Sequence, residues 1–84
     1  MNKYYIDIVF ELNNGFTDGD CLKTNSNPLT DEFLCKITKL GLKRMQSGLF
    51  KNWSAVYTIG NVAHVWLFES TPDGIQLKRY TETY

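Results

Sequence analysis

The chain has one histidine, two cysteines and two prolines among its 84 residues, and its charges cancel, nine Lys and Arg against nine Asp and Glu. Each shortage excludes something. A structural zinc site needs a full tetrahedral set of Cys or His ligands at close spacing, whereas Cys21, Cys35 and His64 are too few and too far apart. Two cysteines are also too few for a disulfide-dense scaffold; they read as reduced thiols in a cytoplasmic protein, with a single bridge between them the alternative. Zero net charge argues against a polybasic nucleic-acid coat or an acidic DNA mimic. No stretch reaches the roughly 18 apolar residues that span a bilayer. The start of the chain has no continuous apolar run, because Asp7 interrupts it, so no secretory leader is expected. Without that route, the sequon Asn52-Trp53-Ser54 reads as chance.

The chemistry of enzymes is equally thin. His64 would need a nucleophile and an orienting acid, and the strand register proposed below puts only Glu82 across from it, a pairing that reads as structural. Asp18-Gly19-Asp20 lacks the ordered ligand series of a calcium loop and is explained by turn chemistry. No glycine-rich phosphate cradle with a following lysine occurs. The reading is a non-enzyme with no catalytic residues, no metal and no cofactor.

What is present is a core. Hydrophobic residues make up 43% and aromatics 14%, enough to exclude a disordered chain. Residues 1–84 form a single domain, which buries only about 60–65% of its unfolded surface. Function is therefore expected on the surface or in a shared interface.

Along Tyr4–Leu12, apolar residues alternate with Tyr5, Asp7, Val9 and Glu11, the period of a strand with one buried side. Residues 13–29, rich in Asn, Gly, Thr, Ser and Asp, read as a long loop. Asn14-Gly15 is a type I′ hairpin signal, but Asp18-Gly19 breaks the arm after it, leaving a stub. Thr30 opens a helix as its N-cap, with Asp31 and Glu32 at the positive pole and Gly48 at C′. At about 100° per residue, Phe33, Leu34, Ile37, Leu40, Gly41 and Met45 share one arc, and Lys36, Lys39 and Lys43 lie opposite.

The last thirty or so residues read as a three-stranded meander. A type II′ turn at Gly60-Asn61 pairs Ile59 with Val62, Tyr57 with His64, Val56 with Val65 and Trp53 with Phe68. A type I turn with a glycine bulge at Thr71-Pro72-Asp73-Gly74 then sets Trp66 against Tyr80, His64 against Glu82 and Leu67 against Arg79. The expected fold is α+β, one amphipathic helix on a mostly antiparallel four-stranded sheet in the order β-α-β-β-β. The position and direction of the first strand are open.

One helix covers one face of such a sheet, and the aromatic face, including Tyr80, belongs under it. The other face, with Val56, Val65, Leu67 and Arg79, is then solvated or shared, and it is the candidate for an apolar contact or a homodimer. Lys36, Lys39, Lys43 and Arg44 are the polar binding candidates on the helix, and Asp18 and Asp20 those on the loop. The favoured reading is a small non-catalytic protein-binding module of the inhibitor, immunity or phage-accessory type, which acts by occupying another protein's surface. The alternative is a nucleic-acid-binding module, in which the basic stripe follows phosphates and Phe16 or Phe50 stacks on bases. Nothing points to a membrane partner.

Overall fold

The alternation at Tyr4–Leu12 builds β1, whose Ile6 and Ile8 are buried while Tyr5, Asp7 and Val9 are exposed. The structure, a computed structural model, describes residues 3–84; Met1 and Asn2, where the reading for a leader began, lie outside the described residues. After β1 come β2 (Thr17–Thr24), α1 (Asp31–Gln46), β3 (Phe50–Ile59), β4 (Val62–Thr71) and β5 (Gly74–Thr83). The strands form one antiparallel sheet in the order β2-β1-β3-β4-β5. The expectation of one helix on an antiparallel sheet holds, but the sheet has five strands rather than four, and the element order is ββαβββ.

The extra strand lies in the segment read as a loop. Leu12 accepts from the Gly15 amide (2.9 Å) and its own amide donates to the Phe16 carbonyl (2.8 Å), closing a turn with Gly15 at φ +87°. Asn14 does not share that left-handed conformation, so the turn is not type I′; its side chain instead accepts from the Phe16 amide (2.9 Å). Asp18-Gly19 does not end the arm. Gly19 pairs with Val9, where a Cβ would crowd the Ile8 carbonyl oxygen at 2.9 Å, so glycine lets β2 lie flat against β1. Asp18 and Asp20 are residues that turns favour, yet with Lys23 they also suit an exposed edge strand, because charge discourages further pairing.

Because β1 is antiparallel to both β2 and β3, the last two run in the same direction, and α1 is the crossover between them. Its ends follow the expected chemistry. The Thr30 hydroxyl accepts from the Phe33 amide (3.4 Å), Asp31 and Glu32 sit in the first turn, and Lys43 and Arg44 in the last. Gly48, at φ +77°, follows the Ser47 cap and donates to the Met45 carbonyl. The buried face is Phe33, Ile37, Gly41 and Met45, one residue per helical turn. At Gly41 an added methyl group would overlap the Phe68 ring, so the missing side chain is what allows α1 to seat on β4. Phe33 meets Trp66 edge-on (centroids 5.1 Å), and Trp53 lies against Phe68 (5.9 Å). Fully burying each such side chain contributes about 1.5–3 kcal/mol.

The β3–β4 register matches the expected pairs, from Ile59 with Val62 to Trp53 with Phe68, and Gly60 alone takes positive φ (+59°) in the connecting turn. The β4–β5 register is one residue away from expectation. Thr71 pairs directly with Gly74, with no bulge residue inserted. The Thr71 hydroxyl accepts from the Asp73 amide (3.3 Å) and donates to the Gly74 carbonyl (2.7 Å), holding a two-residue loop. A one-residue shift exchanges the faces of a whole strand. Arg79 therefore pairs with Trp66 on the helix side, not with Leu67 on the open face, and Tyr80 pairs with Val65 on the open face, not with Trp66. His64 faces Thr81, and Glu82 faces Ala63.

Candidate functional site

Five strands spaced about 4.8 Å apart make a sheet about 24 Å across, whereas one helix with its side chains is about 10–12 Å wide. A single helix covers half of it. Here α1 lies over the β3–β5 half; none of its Cα atoms comes within 8 Å of β1 or β2. Side chains from α1 still bury Ile6 and Ile8, but the strip outside them is half-exposed and apolar.

That strip forms a groove between α1 and β2. One lobe, of about 260 Å³, has Ile8, Phe10, Leu22, Leu40, Phe50 and Trp53 among its walls. The second, of about 150 Å³, is enclosed by Leu22, Phe33, Ile37 and Leu40 with the stem of Lys36. Leu22 and Leu40 line both lobes. Phe10 and Phe50 meet edge-on at 5.1 Å and close one end.

The two banks carry opposite charge. On the helix side, Lys36, Leu40, Lys43 and Arg44 are spaced by three or four residues and so form one row. Across from them, Asp18 and Asp20 stand opposite Phe10 and Ile8 of β1 and share their helix-facing side. Arg44 and Asp20 both line the larger lobe without forming an ion pair. Asp18 and Asp20 each accept a following backbone amide, from Gly19 (2.8 Å) and Cys21 (2.7 Å). Lys36 is partly engaged, donating to Ser26 Oγ (2.7 Å) and lying 3.4 Å from Glu32. Lys39 sits on the outer side of α1, away from the groove row. Arg44 of the helix stripe and Asp20 of the acidic segment, separate in the sequence, thus line one apolar lobe, and Lys36 lines the other. Asp18 and Asp20 do so from strand β2, not from a loop.

The open face of the sheet is different in kind. Val65 is only 7% exposed although no element covers it, because Val56 and Tyr80 pair with it on either side. Val56 and Leu67 are half-buried in the same way, while Val9, Tyr5 and Tyr80 stay exposed. Ion pairs cross the face from Lys78 to Glu69 (2.9 Å) and from Lys51 to Glu11 (3.7 Å), and Lys23 lies over the Tyr5 ring at 6.0 Å. Much of this face is satisfied by its own neighbours.

Among the described residues, no cluster of His, Cys, Asp and Glu is placed to hold a metal ion, and no helix is long and apolar enough to cross a membrane. Cys21, on β2, and Cys35, on the outer side of α1, are free and exposed. Leu22 and Phe10, central to the groove, are not singled out by the sequence reading. Leu22 is the one large apolar side chain between Phe16 and Leu29, a signal that this segment has an inward-facing side. Comparison of the chain with protein-family models, curated proteins and solved structures finds no match.

Proposed function

We propose that the protein is a non-catalytic module that binds another protein, with the α1–β2 groove as its working surface. The supporting observation is the incompletely covered sheet: two neighbouring apolar cavities between α1 and β2, the larger lined by Arg44 on one side and Asp20 on the other, left open outside the buried Ile6 and Ile8. Apolar floors with polar rims are what protein interfaces bury. The opposed charges orient whatever lies between them. Asp18 and Asp20 weigh against the nucleic-acid alternative, since a phosphate backbone following the helix stripe would run beside two carboxylates. Acting by occupation, such a module needs no catalytic group of its own.

A photo-cross-linking amino acid placed at Lys43, beside the groove, and separately at Tyr80, on the open face, tests this in the native host. The expected result is a discrete protein adduct from position 43 and none from position 80. Adducts from position 80 alone would move the working surface to the open face. Recovery of nucleic acid from position 43, with retention of labelled oligonucleotides at about 50 mM salt, would establish the alternative instead.

A further inference from the structure

We infer that the edge of β5 pairs with the same edge of a second copy of this chain, joining two sheets into one about a two-fold axis at Tyr80. The inference is independent of the α1–β2 cavities, which lie toward the opposite edge of the sheet. It starts from the backbone. β5 is the longer of the two edge strands, ten residues against eight, and its ladder with β4 runs from Gly74 to Thr83 without a bulge or a proline. The Tyr84 amide donates to the Asn61 carbonyl (2.8 Å), so Tyr84 turns its backbone groups toward β4. Along an antiparallel ladder that direction alternates. Lys78, Tyr80 and Glu82 therefore also bond β4, while Leu77, Arg79, Thr81 and Thr83 turn their N–H and C=O groups outward. Such an unpaired row is a template for another strand.

The side chains select the register. A symmetric antiparallel pair sets one residue opposite its own copy. Centring on Lys78, Arg79 or Glu82 places like charges face to face, which is unfavourable. Centring on Thr81 leaves Lys78 and Glu82 opposite tyrosines. Centring on Tyr80 sets Lys78 opposite the second copy's Glu82, and Glu82 opposite its Lys78, with the two Tyr80 rings between them. On the other side of the strand, Leu77 and Arg79 meet the second copy's Thr83 and Thr81, and these pairs exchange the outward backbone hydrogen bonds. Opposite residues in such a ladder hold their Cβ atoms about 4.5–5.5 Å apart, within reach of an ion pair. Among the described residues Glu82 has no ion pair. Lys78 lies 2.9 Å from Glu69 but keeps 60% of its side chain exposed and has further N–H groups to donate. Tyr80, 42% exposed, is removed from water by its own copy. A cross-link from position 80 to a second copy has twice the chain mass, which separates it from the adducts with other proteins by which the groove is judged.

The test follows the mass of the whole protein by sedimentation equilibrium from about 10 μM to about 1 mM. The wild-type chain is expected to approach twice its own mass as concentration rises. Lys78→Glu and Glu82→Lys should each weaken association about tenfold or more, because each sets like charges opposite one another twice per dimer. The double swap, Lys78→Glu with Glu82→Lys, should restore it. Thr81→Pro removes an outward N–H that the β4 ladder does not use, so it should abolish the dimer while thermal unfolding stays cooperative. If Thr81→Pro fails to fold, the charge swap still decides. A wild-type chain that stays monomeric throughout would overturn the pairing. So would a dimer indifferent to these changes, or one that the single variants weaken and the double swap fails to restore.

Discussion

The two halves of the sheet on its helix side are built from similar apolar residues and end in different states. Over β3–β5, Phe68, Trp66 and Ala55 are sealed under Phe33 and Ile37, and the backbone of Gly41 rests on the Phe68 ring. Over β1–β2, Ile6 and Ile8 are buried as well, but outside them Leu22 and Phe10, with Leu40 of α1, line a cavity and remain half-exposed. The difference follows from geometry more than from hydrophobicity. A helix brought close to β4 by a missing side chain is held away from β2. The core sealed by α1, which includes Ile6 and Ile8 of β1, carries the stability, and the strip outside it has apolar surface available for something else.

Changes on each half test that contrast. Phe68→Ala, at the centre of the sealed half, is expected to cost about 3–5 kcal/mol, read from chemical denaturation. Gly41→Ala should follow at about 1–3 kcal/mol, because the ring beneath it cannot move without displacing Trp53; the gain in helix propensity is smaller. Leu22→Ala should cost only about 1 kcal/mol, since the side chain is already half in water. A loss at Leu22 equal to that at Phe68 would make the channel part of the core and end the distinction between the halves. Replacing both Lys43 and Arg44 by Gln should shift thermal unfolding least, by under about 1 kcal/mol, the size of a lost interaction with the helix C-terminus.

How much of this was legible depends on how locally each feature is encoded. The caps of α1 and the β3–β4 register were readable, because Thr30, Gly48 and Gly60 each occupy a position that their own chemistry favours. The face of β5 was not. Thr71-Pro72-Asp73-Gly74 admits a bulged and an unbulged closure, and the Thr71 hydroxyl decides between them in three dimensions. β2 was missed for a related reason. Asp18, Gly19 and Asp20 are turn formers taken alone and become a strand only because β1 offers them a ladder. As a result, the sequence reading had both charged banks of the groove but not the channel between them.

The ladder between β1 and β3 has a kinetic consequence. Every other strand pair is joined by a short turn, but this one brings together residues as distant as Val9 and Ser54, 45 positions apart, where the serine hydroxyl donates to the Val9 carbonyl (3.0 Å). The β1–β2 hairpin and the β3–β5 meander can each form from neighbouring residues, whereas the seam between them carries the loop-closure entropy of the long connection through α1. Zipping that seam is then the slow event of folding. Conservative substitutions at Val9 or Ser54 should accordingly slow refolding in stopped-flow measurements, while those in the Gly60 turn leave its rate nearly unchanged.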